Sequence, residues 1–172
     1  MITRTLRTPE ELEKAARLRY EVFVEHLQWV PGNPERLERD CHDEDSSQVG
    51  VLEGYKLLGV CRITPYGKPW MLTKSFSWYT GLVDPDSFEL SRLAVDLSVH
   101  PRPILARLFY HVAEYTTKPW AYAITTHRRV PAYRRMGILF EELDRHLYDE
   151  YAVVIKIDVY NTPWRSILER SL

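Results

Sequence analysis

The 172-residue chain lacks the features of several special classes of protein. No stretch approaches the roughly 20 consecutive apolar residues of a membrane-spanning helix, and its first residues lack the apolar core of a signal peptide. Two cysteines, Cys41 and Cys61, are too few for a disulfide framework and do not have the spacing of a metal site. The 23 basic and 24 acidic residues nearly cancel, so nothing indicates nucleic-acid binding. These absences predict a cytoplasmic protein without a metal, a membrane span or a nucleic-acid partner.

The chain does have the length and the 45% hydrophobic content of one domain with a proper core. Strand patterns occur at 2–7, 49–53, 57–64, 88–95, 121–126 and 153–160, and helical patterns at 8–26, about 104–117 and 131–136. Thr8, Pro9 and Glu11 have the spacing of a helix start with a capping box. A hairpin followed by strand–helix–strand–helix–strand predicts a single α+β domain over residues 1–172, with one mixed, mostly antiparallel sheet flanked by helices in three layers.

The most informative stretch is the strand pattern at 88–95, which carries Glu89 and Arg92 among apolar residues. Unpaired charges are costly to remove from water. The alternation also breaks, because Leu90 and Leu93 fall in opposite phases, as they would if one residue were inserted between them. A β-bulge inserts such a residue, and bulges gather next to active sites. We therefore predict a bulge near Ser91 that turns Glu89 and Arg92 toward one cleft; the alternative is an edge strand with two solvated charges.

A second charge falls on the apolar stripe of the first helix, where Arg19 shares a face with Leu12, Ala16 and Phe23. A core-facing arginine normally has a carboxylate partner, although its head can instead reach water while its stem packs. The loop at 27–48 is too polar for a regular element and too long for an idle connection, which predicts an ordered functional loop.

The same loop offers carboxylates at Asp40 and Asp43 as partners for arginines. A metal site around them is the alternative reading of this run. The calcium-loop pattern fails, because Gln48 stands where its sixth-position glycine belongs.

The polar residues and their spacing resemble the invariant set of the acyl-homoserine-lactone synthases, the autoinducer synthases of bacterial quorum sensing. The matching residues are Arg19, Phe23, Trp29, Asp40, Asp43, Arg62, Glu89 and Arg92. The segment from Pro69 to Phe76 resembles that family's Pro-x-Met-Leu-x3-Phe run, and the resemblance extends from about residue 15 to 140. It implies the fold of the N-acetyltransferase-like acyltransferases. It also implies transfer of an acyl group from a thioester to the amine of S-adenosylmethionine, followed by lactone closure, with no further cofactor.

The reaction assigns roles to these residues. An attacking amine must lose a proton, and Glu89 is the predicted acceptor or relay, with Arg62 and Arg92 beside it. Asp40 and Asp43 are expected to surround the sulfonium cation, held by arginines that include Arg19. The remaining predicted substrate contacts are Phe23 and Trp29 as walls or adenine stacks, together with Ser91 and Thr125.

The thioester donor is predicted from an absence. Enzymes that bind coenzyme A cradle its pyrophosphate on backbone N–H groups at a helix start, and glycines allow the close approach. Residues 96–107 contain no glycine, and Pro101 and Pro103 remove two N–H groups. Acyl-carrier protein is therefore the predicted donor and partner, with acyl-coenzyme A as the alternative. The acidic surface of a carrier protein would suit Arg102, Arg128 and Arg129.

Some features depart from the family, and other functions compete. Little sequence follows Tyr160, so an abbreviated wall of the acyl pocket is expected, and Phe88 stands where the family often has tryptophan. A threonine that relatives link to 3-oxo-acyl preference would fall on Ala123, near Thr125 and Thr126. The main rival is another acyltransferase of this fold, an N-acyl amino acid synthase or a protein-sorting enzyme. A non-catalytic module that binds adenosylmethionine or a carrier protein is a further alternative. A serine hydrolase built on Ser91 is a weaker alternative, because the chain has no Gly-x-Ser-x-Gly elbow near this residue.

Overall fold

Seven strands form one sheet in the computed structural model, which describes residues 1–75, 77, 81–144 and 152–172. The strands are β1 (Ile2–Leu6), β2 (Ser47–Glu53), β3 (Lys56–Pro65), β4 (Ser87–Val95), β5 (Trp120–Thr126), β6 (Phe140–Asp144) and β7 (Ala152–Asp158). The helices are α1 (Pro9–Tyr20), α2 (Met71–Ser75), α3 (Pro101–Tyr115), α4 (Val130–Met136) and α5 (Trp164–Glu169). A π-helical segment, Glu21–His26, directly continues α1.

The strand order across the sheet is β1-β2-β3-β4-β5-β7-β6. Neighbouring strands are antiparallel except β4 and β5, which run parallel. This confirms the mixed, mostly antiparallel sheet that the sequence predicts. Among the described helices, none is long and apolar enough to cross a membrane.

The helices cover the sheet on both sides. On one side, which we call the α3 face, apolar residues of α3, α4 and α5 share a core with strand residues such as Leu90, Ala123 and Ile155. On the other, the α1 face, α1 and the π-helical segment pack on β1 to β4, while Leu72 of α2 packs with Tyr122 and Val154. The burial of both faces gives the three predicted layers.

The first helix starts as predicted. The Thr8 hydroxyl accepts a hydrogen bond from Glu11 N at 3.2 Å, and the Glu11 carboxylate accepts from Thr8 N at 3.1 Å. Helical structure continues to His26, as expected, although its last turn is π-helical. The predicted stripe is wrong at Leu12, which is 38% exposed. Leu12 points in the direction of Arg19 but lies two turns nearer the helix start, where less of the protein covers it.

Three elements were not predicted. The five-residue α2 is short and begins within an aromatic and proline-rich run. β6 is an acidic edge strand with no apolar alternation, as is common at sheet edges. The third, α5, follows Tyr160 and packs on α3 through Trp164 and Phe109, whose ring centroids are 5.8 Å apart. The α3 helix also starts earlier than expected, because prolines are tolerated in a first helical turn. Phe76 of the family-like segment lies outside the described residues.

Candidate active site

The predicted bulge is present in β4. Val60 pairs with Ala94 and Arg62 pairs with Ser91, so two residues of β4, Arg92 and Leu93, lie opposite one residue of β3. Arg92 has a φ of 50°, the left-handed conformation that side chains other than glycine rarely adopt. This conformation is the local irregularity that the broken alternation predicts.

The bulge sorts the side chains of β4 onto the two faces of the sheet. Leu90 and Leu93 both join the core of the α3 face. Glu89 and Arg92 both reach the α1 face, where Glu89 contacts α2 and Arg92 contacts Asp40. The prediction that the bulge turns Glu89 and Arg92 toward one cleft is confirmed.

A cleft opens where β4 and β5 separate. The two strands pair only over Ser87–Glu89 and Trp120–Tyr122, although both continue further. A cavity of about 800 Å³ lies in this region. This is the size of a small-molecule site, for which pockets of roughly 300–1,000 Å³ are usual.

The lining of the cavity is of two kinds. Its polar lining includes Glu89, Ser91, Arg92, Thr125, Arg128 and Arg129. Its apolar lining includes core residues of the α3 face, namely Phe109, Ala123, Tyr133, Ile138, Ile155 and Ile157. One cavity therefore joins charged groups to an apolar chamber.

Arg19 is the centre of an ion network beside the cavity, and its side chain is fully buried. Its Nε donates to Glu38 Oε2 at 2.5 Å, and Nη1 and Nη2 donate to the two carboxylate oxygens of Asp43 at 2.8 and 2.9 Å. The fork of the guanidinium therefore fixes both carboxylates at once. The predicted carboxylate partner of Arg19 is confirmed in Asp43.

Two further arginines complete the network. Arg62 Nη1 donates to Asp40 at 2.5 Å and to Asp43 at 3.0 Å. Arg92 Nη2 donates to Asp40 at 2.8 Å, and its Nε lies 2.8 Å from Glu38 Oε1 without the direction of a hydrogen bond. Each arginine thus contacts two carboxylates. The formal charges balance, which is the condition for keeping such groups out of water.

Glu38 is the network member that the sequence did not single out. It is 3% exposed, and its backbone N–H donates to Ala16 O at 3.0 Å, which fixes the loop against α1. The surrounding sequence is rich in acids, so no local pattern distinguishes Glu38 from Glu35 or Glu44. Only the approach of the loop to Arg19 selects it.

The network determines the protonation of its carboxylates. Burial is the largest single effect and would raise the pKa of Asp43, but the hydrogen bonds and charge of Arg19, with hydrogen bonds from Asp40 N and Arg62, together lower that pKa to about 2. Burial likewise acts to raise the pKa of Asp40, but Arg62 and Arg92 act to lower it, and the net effect is a lowered pKa. Both carboxylates therefore stay ionised at neutral pH.

Glu89 lies apart from the network and has a different environment. It is 1% exposed, and its two oxygens accept from Met71 N at 3.1 Å and Leu72 N at 2.6 Å, at the start of α2. Burial raises its pKa, against the opposite effects of these two N–H groups and of Arg62. A carboxylate held in this way is both oriented and more basic than one in water.

The other predicted site residues divide into two groups. Phe23 and Trp29 wall the cavity and stack with ring centroids 6.1 Å apart, and the Arg129 guanidinium lies 5.7 Å from the Trp29 ring. Arg102 instead lies exposed in the first turn of α3 and does not line the cavity. The assignment of Arg102 to the carrier-protein surface stays a prediction.

The cavity lining does not include Asp40, Asp43 or Arg62. They are connected to it through Arg92, which lines the cavity and pairs with Asp40. Across the described ranges, no three histidine, cysteine, aspartate or glutamate side chains converge as metal ligands would.

Known proteins resemble this chain along most of its length. It matches the model of the autoinducer synthase family over residues 3–129. It is 30% identical to an acyl-homoserine-lactone synthase of Vibrio anguillarum over 143 residues, which cover 74% of this chain and 73% of that protein. It is 34% identical over 90 residues to the isovaleryl-homoserine lactone synthase of Bradyrhizobium diazoefficiens, covering 49% of this chain and 41% of that protein.

The solved structures agree with the sequence comparison. A CoA-dependent acyl-homoserine lactone synthase, BjaI, solved with S-adenosylmethionine and isopentyl-CoA, superposes with a TM-score of 0.81 at 25% identity. The match covers 92% of this chain and 81% of that one. The fold is thus the acetyltransferase-like fold that the resemblance implies. The chain belongs to the autoinducer synthase family and is an acyltransferase.

Proposed function

We propose that this enzyme makes an acyl-homoserine lactone by moving an acyl group from a carrier-protein thioester to the amine of S-adenosylmethionine. The observation that carries the proposal is the cavity between β4 and β5, which is lined both by Glu89 and Arg92 and by apolar core residues of the α3 face. An amine and an acyl chain can meet there from opposite sides. Family membership and the similarity to a synthase solved with S-adenosylmethionine support this reading.

The first chemical step is acyl transfer. The amine nitrogen attacks the thioester carbonyl carbon, the new N–C bond forms, and the C–S bond breaks to release a thiolate, which takes up a proton and leaves as the thiol. The amine proton passes to Glu89, directly or through a water molecule. Its burial and its raised pKa suit this carboxylate to accept a proton near neutral pH. Backbone groups of β4 beyond Glu89, which β5 does not pair, are available to bind the carbonyl oxygen.

The second step closes the lactone. A carboxylate oxygen of the acylated substrate attacks the carbon next to sulfur, the C–O bond forms, and the C–S bond of the sulfonium breaks. The bonding electrons return to sulfur, and methylthioadenosine leaves. This step needs positioning more than acid or base, because the leaving group is already cationic. Phe23 and Trp29 are suitably placed to hold the aromatic base, and Ser91 and Thr125 line the same cavity.

The arginines act in this proposal by fixing the site. Arg62 donates through Nε to Ser91 Oγ at 3.1 Å, and Arg92 presents its guanidinium 5.8 Å from the Phe23 ring. Both also hold Asp40. The loop carboxylates therefore hold these two arginines in place and neutralise their charge beside the cationic substrate.

The start of α3 favours the carrier-protein donor over coenzyme A. Pro101 and Pro103 have no N–H group, and Arg102 N already lies 3.4 Å from its acceptor, the cap residue His100 Nδ1. Few donors remain to hold a pyrophosphate. Arg128 and Arg129 at the cavity instead suit an acidic carrier protein. Coenzyme A remains the second candidate, because the similar synthase BjaI is CoA-dependent.

The experiment compares acyl-carrier protein and acyl-coenzyme A bearing one acyl chain, with the lactone measured by mass spectrometry. Carrier-protein turnover should be higher and should fall as salt rises, since exposed charges are screened within about 10 Å at 0.1 M salt. Arg128→Glu should raise the KM for the carrier protein, whereas Arg165→Glu, on a helix away from the cavity, should not. Equal or better turnover with acyl-coenzyme A would overturn the donor. An N-acyl amino acid without a lactone would overturn the product.

The role of Glu89 is tested separately with Glu89→Gln. The amide keeps the shape of the side chain but cannot accept the amine proton, so kcat should fall by about 100-fold or more. Unchanged kcat in a correctly folded variant would show that another group takes the proton.

A further inference from the structure

His42 is a buried residue that neither the ion network nor the proposed chemistry uses. It is 3% exposed and lies between Asp40 and Asp43 in the loop. Its backbone N–H donates to Asp40 Oδ1 at 2.9 Å, and its backbone oxygen accepts from Ser46 Oγ at 2.5 Å. Its backbone therefore belongs to the loop, which leaves its ring free to act elsewhere.

The ring of His42 points across to the segment before α2. Its Nδ1 lies 2.8 Å from Pro69 O. A carbonyl oxygen only accepts hydrogen bonds, so Nδ1 carries the proton in this contact. Two residues further along, Met71 N and then Leu72 N donate to the carboxylate of Glu89. The imidazole thus anchors the backbone that holds Glu89.

We propose that His42 is a positioning residue for Glu89, acting through Pro69 O and the first turn of α2. This inference rests on the proposed function of Glu89 as proton acceptor and extends it to a residue that touches no substrate. It also links the two halves of the site, because Asp40 fixes the His42 backbone while the His42 ring fixes the α2 segment. The ion network and the proton acceptor are then set relative to each other by one side chain.

The groups around Glu89 give the expected sign of a pH effect. The charged or titratable groups that act on it are Arg62 on β3 and His42 on the loop. The titratable groups of the neighbouring elements have other contacts: the Tyr122 hydroxyl on β5 accepts a hydrogen bond from Asp84 N, and Lys74 on α2 is exposed beside Cys41. The N–H bonds from α2 lower the pKa of Glu89. If α2 shifts away, that pKa rises, and the acidic limb of the kcat/KM profile moves to higher pH.

The test uses two polar substitutions of similar size. In His42→Asn the amide nitrogen takes the place of Nδ1 and can still donate to Pro69 O. In His42→Gln the amide nitrogen takes the place of Nε2 and cannot. The Asn variant should keep most of the wild-type kcat, and its acidic limb should lie at lower pH than that of the Gln variant. The Gln variant should lose at least tenfold in kcat with little change in KM, because misplacing a reacting group by about 1 Å costs on the order of 100-fold.

The control is Val51→Ala. Val51 is a fully buried core residue of β2 away from the site, so this substitution should lower thermal stability without moving the pH limb. Equal activity of the Asn and Gln variants, whether both high or both low, would overturn the positioning role. A wild-type enzyme that makes no lactone would overturn the proposed function instead, so the two failures are distinguishable.

Discussion

Replacing Arg19 with alanine tests whether the ion network holds this protein together. The substitution removes one of three arginines that balance Glu38, Asp40 and Asp43. It breaks four hydrogen bonds, two to Glu38 and two to Asp43. The remaining arginine contacts of these two carboxylates are Arg92 Nε beside Glu38 at 2.8 Å and Arg62 Nη1 on Asp43 at 3.0 Å. The variant therefore keeps a partly paired site with one excess negative charge.

The size of the effect follows from this geometry. Removing one partner of a buried charge pair typically costs about 3–5 kcal/mol. The two remaining arginine contacts place Arg19→Ala near the lower end, at roughly 3 kcal/mol. A typical domain has only about 5–15 kcal/mol of net stability, so the loss should be plain in any unfolding curve.

Urea unfolding followed by circular dichroism is the appropriate assay, since urea leaves the ion pairs unscreened whereas guanidinium chloride is a salt. Arg17→Ala is the matched control. Arg17 lies on the same helix, its side chain is 52% exposed, and it pairs with Glu13 one turn away. An exposed pair of this kind contributes about 0.3–0.5 kcal/mol.

The pH dependence provides a second readout. The pKa of Asp43 is lowered to about 2 in the folded protein, against about 3.9 for an unperturbed aspartate. The stability that this ionised carboxylate contributes is present above about pH 4 and is lost as pH falls through the folded value near 2. In Arg19→Ala the folded pKa rises, so stability should depend less on pH between 2 and 4.

Two results would refute the reasoning. One is a loss below about 1 kcal/mol, the size expected of a surface ion pair. The other is strict additivity of Arg19→Ala with Asp43→Asn, since residues in direct contact normally show a coupling of about 0.5–3 kcal/mol.

Three further outcomes can be measured independently. Ala123→Phe should move the product mixture toward shorter acyl chains in mass spectrometry, because Ala123 lines the apolar chamber; an unchanged mixture would place the acyl chain elsewhere. Gly59→Ala should cost about 1–3 kcal/mol in urea unfolding, since its Cβ would lie 2.3 Å from Ile104 Cγ2; no loss would mean that α3 yields freely. Burial raises the pKa of Cys61 to about 12, so a thiol reagent at pH 8 should modify only the exposed Cys41 until urea is added; two reactive thiols in the folded protein would contradict the burial.

The sequence predicted the structure best where burial requires apolar residues to recur at a fixed spacing. The bulge could be found from Leu90 and Leu93 alone, because both must face the core of the α3 face. The capping box of α1 was equally clear, since its two hydrogen bonds are local. These features depend on neighbouring residues and little on the rest of the fold.

Some features that depend on distant contacts were not predictable, in contrast to the partner of Arg19. Nothing near Glu38 distinguishes it from other acids of the loop, and only its approach to Arg19 gives it a role. The same limit applies to His42, whose partner Pro69 is 27 residues away. Arg102 is exposed in the first turn of α3 and outside the cavity, so its assignment to the carrier-protein surface stays a prediction.

The bulge in β4 also determines how this strand would tolerate the loss of a residue. Without Arg92, Leu93, Ala94 and Val95 would follow Ser91 in regular alternation and keep the faces they already occupy. The core therefore has no need of residue 92. A left-handed conformation at a residue such as this typically costs about 1–3 kcal/mol. Shortening the strand by this one position should leave a foldable sheet and a cleft without this arginine, which means that Arg92 serves the contacts it makes rather than the sheet.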